Sequence, residues 1–312
     1  MTVMDQAMVG TRTRGGEIAL VALFCLLWSS AFAPAKIAIA DAPPLFLLWL
    51  RFLAAGGLCL AIGWRAGEGR LPRGRDLLAF GLLGLLNNGI YLGLSWSGMA
   101  TVSSGFAAVL ISANPLLTAV AAGPLLGERL GPRKVFGLLL GLAGVAIVLR
   151  SRLGGGDLGG GDLGGGMEDP GGTLMVAGGL ISLVAGTVLY KRLAPASVGP
   201  WTGNGLQALL AGLALLPVSL MIEDMDAVRV TPSLLLALGW MVFGVSIGGY
   251  MLWFRILARH SATVASSLHF LMPPLGLGFG WLLAGEAVPA LDLLGIVPIA
   301  LGIALVTRPA RR

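Results

Sequence analysis

The chain has 312 residues, of which 56% are hydrophobic and 12% are charged, and its formal net charge is +6. Soluble domains carry about 25% charged residues, so this composition excludes an ordinary soluble protein and indicates many membrane spans. A basic soluble protein would suggest a nucleic-acid partner, but in a membrane protein the distribution of basic residues sets orientation instead, so no nucleic-acid partner is expected.

Apolar runs long enough to cross a bilayer recur along the chain. A hydrocarbon core about 30 Å thick requires roughly 20 apolar residues per helix. Ten runs meet this length, and we call them spans 1 to 10: 17–38, 44–64, 76–98, 101–126, 133–150, 172–191, 200–222, 232–256, 262–284 and 289–307. The sequence therefore predicts an all-α integral membrane protein with ten transmembrane helices, in contact with the lipid bilayer.

The ten spans divide into two halves of five. Residues 17–150 are predicted to form the first repeat and residues 172–307 the second. The segment 151–171 contains "GGGDLGGGDLGGG", which is typical of a flexible, solvated linker. Residues 1–16 and 308–312 are predicted to be terminal tails.

Basic residues are distributed unequally between the two sides of the predicted bundle. If the N-terminus is cytoplasmic, only Lys36, Arg150, Arg152 and Arg229 fall outside, and all others except Arg51, which lies within span 2, fall inside. Cytoplasmic segments are enriched in Lys and Arg. The sequence therefore predicts a multi-pass protein of a bacterial inner (plasma) membrane with both termini in the cytoplasm.

The two halves repeat one another in sequence. A shift of 158 positions aligns 103–148 with 261–306 without a gap. The identities include residue types that chance matching of apolar runs would not readily produce: Pro115/Pro273, Gly127/Gly285 and Glu128/Glu286. Because each half holds five helices, an odd number, the second half enters the membrane from the opposite side. The sequence predicts inverted repeats, which are an architecture of secondary transporters.

The repeated segments also resemble a known domain. "ISANPLLTAVAAGPLLGERLGP" in the first half, "HFLMPPLGLGFGWLLAGEAVPA" in the second and "LLWSSAFAPAKIA" in span 1 resemble the EamA domain. Tandem EamA domains define the ten-helix branch of the drug/metabolite transporter superfamily. The resemblance implies transport of a small-molecule substrate such as an amino acid, with YddG-like exporters of aromatic amino acids as the type to expect.

Polar and aromatic side chains inside spans 1 and 3 are candidates for substrate binding. Trp28 and Ser29 interrupt span 1, and "LLNNGIYLGLSW" places Asn87, Asn88 and Tyr91 in span 3. Asn87 and Tyr91 are four residues apart and share a helix face. Buried amides in hydrocarbon need partners, which another helix or a polar substrate supplies. For Trp28, ordinary packing stays an equal alternative.

Further candidates for the same site lie in spans 4, 7 and 8. Tyr250 and Trp253 occupy the part of span 8 that corresponds, within one residue, to the polar part of span 3. Asn114 precedes the proline of span 4. A shift of 156 positions, taken from the first helices of the two halves, places Gln207 opposite Arg51.

Arg51 is the basic residue placed deepest in a predicted span, about 10 Å along span 2. An unpaired charge at this depth is costly. The side chain either reaches outward to the membrane surface or binds an anion such as a substrate carboxylate, and the first interpretation is favoured.

His269 lies in the middle of span 9 and is a further candidate for the substrate site. It could carry a proton, although a hydrogen-bonded core histidine is the favoured interpretation. All Asp and Glu residues fall at span ends, in connections or in the N-terminal tail, whereas proton-coupled transporters usually place a carboxylate within the membrane. We therefore expect either flow down the substrate gradient or proton coupling through His269.

Prolines and glycines predict how the helices are shaped. Pro115 and Pro273 are predicted to break their helices, either as hinges beside the substrate site or only for packing. Small residues recur in spans 5 and 10, which are symmetry mates, so these two helices are expected to pack closely as a scaffold.

The functional interpretation with most support is export of small organic metabolites, most of all amino acids. No GxxxxGK[ST] loop and no paired catalytic carboxylates occur, so neither ATP hydrolysis nor another enzyme activity is predicted, and no cofactor or metal is expected. A multidrug or other metabolite exporter is the alternative within transport, and an enzyme acting on lipid precursors is the alternative outside it. The sequence does not specify the oligomeric state, and a monomer is compatible with it.

Overall fold

The computed structural model is helical wherever it describes secondary-structure elements. The described residues are 3–68, 71–102, 107, 110–148, 169–195, 197–284 and 293–307. Most of the predicted linker, the predicted C-terminal tail 308–312 and Glu286 lie outside them. The predicted all-α class is confirmed.

Four spans are single helices, and span 10 is described chiefly as one helix that begins after a turn. Proline stands in the first turn of most of them. Proline is tolerated there because the N–H groups of the first turn have no acceptor within the helix. These helices are Pro44–Arg65 (span 2), Pro132–Val148 (span 5), Pro170–Leu193 (span 6), Pro200–Ile222 (span 7) and Ile296–Thr307 (span 10).

The other five spans change helical geometry along their length or are described in part. Span 1 consists of Val3–Ser29 and Phe32–Asp41, so most of the segment predicted as an N-terminal tail continues its first helix. Span 4 is described chiefly as Asn114–Leu126. Span 3 has three parts: Arg75–Gly84, π-helical Leu85–Ile90 and Tyr91–Gly98. Span 8 likewise has Pro232–Trp240, π-helical Met241–Gly249 and Tyr250–Arg259. Span 9 has Ala262–Ser267, 3-10 helical Leu268–Leu271 and Met272–Ala284.

The outward surface of the bundle is apolar. Five helices are long and apolar enough to cross a membrane, and three shorter apolar helices accompany them among the described residues. Met221 and Leu236 are 83% and 76% exposed, and many other large apolar side chains are exposed with them. Soluble proteins rarely expose such extensive apolar surface. These helices contact lipid, and the chain is a multi-pass membrane protein.

Contacts between the spans follow the two-fold relation of the halves. Span 2 packs on span 7, span 4 on span 9 and span 5 on span 10, and the packing of span 3 on span 6 is matched by that of span 8 on span 1. Gly137 lies against the carbonyl of Gly302, and Gly144 lies against that of Gly295. The expected close packing of spans 5 and 10 is confirmed, because only glycine lets the two backbones approach this far.

Glu68, which follows span 2, caps the first turn of span 7 in the other half. Its Oε1 accepts from the backbone N–H of Trp201 at 3.1 Å, and its Oε2 accepts from that of Thr202 at 2.8 Å. A Cβ at Gly199, the residue before the helix, would overlap the Glu68 carboxyl group. A carboxylate at this place accepts otherwise unpaired helix N–H groups and interacts favourably with the helix dipole.

Glu223, which follows span 7, caps span 2 in return. Its two oxygens accept from the N–H groups of Leu45 at 2.7 Å and Phe46 at 2.8 Å. Ser219 Oγ donates to Glu223 Oε2 at 2.7 Å and so helps to orient the carboxylate. The two halves therefore cap one another reciprocally.

Glu128, from the repeated Gly-Glu pair, has the same role for span 9. Its oxygens accept from the N–H groups of Ala262 at 2.6 Å and Thr263 at 3.2 Å. The repeat register gives Glu286 as its equivalent, which lies outside the described residues.

Asp169 caps span 6 within its own half. Its carboxylate accepts from Gly172 N–H at 2.6 Å and from Thr101 Oγ at 2.9 Å. These hydrogen bonds, that of Gly172 first, lower the pKa of Asp169 below its usual value because they favour the charged form.

Candidate functional site

The centre of the molecule is the place where spans 2, 3, 7 and 8 meet. The π-helical segment of span 3 packs against span 7, and that of span 8 packs against span 2. Each π-helical segment ends directly before a buried tyrosine, Tyr91 in span 3 and Tyr250 in span 8. Short π-helical segments are frequent at functional sites, because they redirect the side chains that follow them.

Arg51 lies in this centre and does not reach the membrane surface. It is 2% exposed, and its Nε donates to Ser246 Oγ at 2.6 Å. Asn204 Nδ2 donates to the Ser246 carbonyl at 3.1 Å and holds the same π-helical segment from span 7. The favoured expectation that Arg51 extends outward is wrong, because spans 2, 7 and 8 enclose the guanidinium.

Asn87 has a buried amide without a partner among the described residues. The side chain is 2% exposed, and neither Oδ1 nor Nδ2 makes a hydrogen bond. A Cβ at Gly186 of span 6 would overlap the Asn87 amide, so the glycine makes room for it. The Tyr250 hydroxyl donates to the backbone carbonyl of Asn87 at 3.2 Å, and this hydrogen bond connects spans 3 and 8. Asn88 is buried beside it.

Gln207 adds a second unpartnered amide oxygen. Its Nε2 donates to the Gly203 carbonyl at 3.3 Å, whereas Oε1 has no partner among the described residues. Gln207 is three residues after Asn204 and shares its helix face. Most buried polar atoms in folded proteins are hydrogen-bonded, so unpartnered ones need a water or a ligand. We call Arg51, Asn87, Asn204, Gln207 and Ser246 the polar cluster. Hydrogen bonds join Arg51, Ser246 and Asn204, and the packing of span 3 on span 7 brings Asn87 and Gln207 to the same region.

Five rings form an aromatic cluster next to the polar cluster: Phe24, Trp28, Tyr250, Trp253 and His269. Ring centroids are 4.8 Å apart between Trp28 and Tyr250, 5.6 Å between Phe24 and Trp253, and 5.1 Å between Trp253 and His269. Spans 1, 8 and 9 contribute to it. Tyr250 belongs to this cluster through its ring and contacts span 3 through its hydroxyl.

His269 presents one free ring nitrogen. Its Nδ1 donates to the Ser266 carbonyl at 3.0 Å, and Nε2 is buried without a partner among the described residues. Ser29 Oγ is also buried and unpartnered. Asn114 accepts from Thr118 Oγ within its own helix at 3.0 Å, and its described contacts do not join it to either cluster.

Both predicted helix-breaking prolines stand directly after an interruption. Pro115 lies in the first turn of Asn114–Leu126, after a turn at Ser112 and Ala113. Pro273 lies in the first turn of Met272–Ala284, after the 3-10 helical turn of span 9. The two breaks occupy equivalent places in the two halves.

A groove of about 320 Å³ lies elsewhere, between spans 1 and 8. Its lining is almost wholly apolar and includes the exposed side chains of Ile37, Leu236 and Trp240. Trp240 Nε1 donates to Ser30 Oγ at 3.0 Å, so its polar atom is paired. This groove belongs to the lipid-facing surface, and the polar and aromatic clusters remain the candidate site.

Three members of the site were missed by sequence reasoning. Ser246 and Phe24 give no signal in an apolar helix, because serine and phenylalanine are both common there. Asn204 gives one, since "TGNGLQ" places two amides three residues apart inside an apolar run.

Comparisons with known proteins agree with this architecture. The EamA-like transporter family matches residues 16–150 and 170–308. The chain is 32% identical to the uncharacterized inner membrane transporter YedA of Escherichia coli, over 93% of this chain and 89% of that protein. It is 25% identical to a probable amino-acid metabolite efflux pump of Salmonella typhimurium, over 91% of this chain and 92% of that protein. A solved crystal structure shares the fold, with a TM-score of 0.76 at 23% identity over 93% of this chain and 95% of that chain.

Proposed function

Because this chain belongs to the EamA-like transporter family and spans the membrane several times, we propose that it exports small organic metabolites, amino acids in particular. It works as a secondary transporter by alternating access at the central site between two inverted repeats. It resides in a bacterial inner membrane with both termini in the cytoplasm, in accord with the distribution of its basic residues.

The unpartnered amides beside the aromatic cluster are the observation that carries this proposal. An ammonium group of a zwitterion needs acceptors, and Asn87 Oδ1 and Gln207 Oε1 are buried acceptors without partners among the described residues. The aromatic cluster offers an apolar surface for a substrate side chain, with Trp28 and Tyr250 4.8 Å apart at its edge nearest span 3. One end of the site therefore suits a polar group and the other an apolar side chain.

The arrangement of the spans supports alternating access. Both halves contribute to the polar cluster, so a rocking of one half against the other changes the access to it from either side. The helix interruptions before Pro115 and Pro273 supply places where spans 4 and 9 can bend. The name of the Salmonella typhimurium relative supports amino acids as the substrate class.

Counterflow in proteoliposomes tests the proposal. Purified protein is reconstituted with unlabelled amino acids inside, and uptake of labelled leucine, phenylalanine and tryptophan is measured, with choline-like cations as the competing class. We expect amino-acid uptake well above that of empty liposomes and a reduction of at least about tenfold in Asn87→Leu. Leu236→Ala, a lipid-facing change, serves as the matched control and should leave uptake unchanged.

Two results would overturn this function. The first is robust uptake of choline-like cations without amino-acid uptake. The second is unchanged uptake in Asn87→Leu at wild-type protein levels in the liposomes, because it would remove the polar cluster from the transport path.

A further inference from the structure

We propose that Arg51 binds the carboxylate of the substrate, so that the transporter requires a carboxylate-bearing solute and discriminates against the corresponding amides and amines. The inference rests on the proposed transport function and specifies the substrate class of the same site.

Arg51 is a buried cation without a described anionic partner. No carboxylate among the described residues forms an ion pair with it, and the ionisable groups within electrostatic range are the hydroxyls of Tyr91 and Tyr250. In the sequence, every Asp and Glu falls at a span end, in a connection or in the N-terminal tail. Burying an ion away from water costs several kcal/mol unless an opposite charge or several hydrogen bonds compensate.

The contacts that Arg51 does make leave most of its donors unused. A guanidinium has five N–H donors, and the hydrogen bond to Ser246 uses the one on Nε. Its Cζ lies 5.4 Å from the Phe52 ring centroid, a contact that offsets only part of the cost of burial. The other four donors, on Nη1 and Nη2, make no hydrogen bond to a described residue, and these are the donors that we assign to the ligand.

Span 8, whose Ser246 holds the Arg51 guanidinium, is hydrogen-bonded to spans 3 and 7 as well. Ser246 precedes Tyr250 by four residues on the same face of span 8, and the Tyr250 hydroxyl donates to the backbone carbonyl of Asn87 in span 3. Gln207, the residue placed opposite Arg51 by the repeat register, brings its unpartnered Oε1 from span 7. Spans 3 and 7, which pack against one another, thus carry unpartnered amide oxygens to which the ammonium group of the same ligand can donate.

A guanidinium is suited to this partner by geometry as well as charge. Its two terminal nitrogens donate in parallel to both oxygens of a carboxylate, and such bidentate pairs are stronger than single hydrogen bonds. Ser246 is a positioning residue, because its hydroxyl fixes Nε and thereby the plane of the fork.

Paired substrates that differ only at the carboxylate test the inference. Counterflow of labelled phenylalanine is compared with that of phenylalaninamide and phenethylamine in wild type, Arg51→Lys and Arg51→Gln. We expect wild type to prefer the acid over the amide by at least about tenfold, Arg51→Lys to keep a reduced preference, and Arg51→Gln to lose it. Ser246→Ala should raise KM for the acid more than it lowers kcat. Size-exclusion elution and thermal stability in detergent report whether each variant folds.

The outcomes separate this inference from the proposed function. If wild type moves neither phenylalanine nor any other amino acid, the proposed function fails. If wild type transports the acid and Arg51→Gln keeps the full preference for it over the amide, the transport function stands and the role of Arg51 is overturned. Should Arg51→Gln not fold, wild type decides alone, since equal transport of acid and amide would exclude a carboxylate site.

Discussion

The centre of this protein contains buried polar atoms that no described residue satisfies. Asn87, Gln207 and His269 each bury a polar atom that has no partner among the described residues. Such atoms cost about 1–3 kcal/mol each when left unpaired. Ser95, Asn114, Thr187 and Thr263 carry further atoms of this kind outside the two clusters. Within the candidate site, a substrate can supply the missing hydrogen bonds.

At the same scale, His269 is the one buried histidine, and it decides the question of proton coupling. We expect His269→Ala to keep reduced but measurable counterflow, because its ring is one of five in the aromatic cluster. The variant should show no accumulation of substrate driven by an imposed pH gradient, because no other described Asp, Glu or His lies in the middle of a span. Accumulation is measured in proteoliposomes with an acidic or an alkaline interior. His260→Ala is the matched control, since His260 lies at the end of span 8, outside the aromatic cluster. Robust proton-driven accumulation in His269→Ala would contradict this expectation.

Sequence reasoning selected many residues that the structure brings together in the candidate site, but it did not predict how they are held. Asn87, Gln207 and Tyr250 could be selected because polar and aromatic side chains stand out in apolar runs. The direction in which the Arg51 side chain extends could not be predicted, because a long side chain at this depth can reach either outward or inward. The packing of spans 2, 7 and 8 decides between the two.

At the scale of the helix, the most informative elements are the capped starts of spans 2, 7 and 9. The ten spans were predictable because hydrophobic length alone identifies a membrane helix. The π-helical segments were not, since no residue type marks them. The glutamate caps were predictable only in part. Glu68 and Glu223 stand 155 positions apart, close to the shift of 156 that aligns the first helices of the two halves, so the sequence marks them as equivalent. It does not show that each of them caps a helix of the other half.

We expect Glu68→Gln and Glu223→Gln each to lower the free energy of unfolding by about 1 kcal/mol. Glutamine keeps one acceptor oxygen but loses the charge that interacts with the helix dipole and one of the two bonds to backbone N–H groups. Thermal unfolding in detergent measures the effect. Glu17→Gln, at an exposed position within the first helix, is the control and should have little effect. A loss in Glu17→Gln as large as in the two cap variants would show that the charge alone, and not the cap, matters.

At the scale of the whole molecule, the two halves are joined by pairs of spans whose backbones approach closely at glycine residues. Spans 5 and 10 meet at Gly144 and Gly295, where a Cβ on Gly144 would lie 2.7 Å from the carbonyl oxygen of Gly295. The repeat in the sequence predicted that these spans are mates. It did not fix which other spans surround the site, because apolar helices offer many alternative faces and the final choice depends on close packing.

Gly144→Ala is expected to destabilise the protein by about 1–3 kcal/mol, because the added methyl group forces two backbones apart. Gly57→Ala is the matched control: Gly57 lies in span 2 with no atom within 4 Å of its would-be Cβ, so alanine there should be neutral or stabilising. Thermal unfolding of the two variants side by side gives the comparison. Equal stability of the two would argue against a tightly packed seam between spans 5 and 10.

The reciprocal caps also bear on how the protein is made. Leu45 and the carboxylate that accepts its N–H are 178 residues apart, so the ribosome completes the whole first half before the acceptor exists. Until span 7 and Glu223 have been synthesised, the N–H groups at the start of span 2 lack this cap. Span 7, by contrast, is synthesised after Glu68, so its cap is already present. The first half is thus finished only by the synthesis of the second. Once a duplicated gene has come to share its caps in this way, neither copy can be lost without leaving the other incomplete.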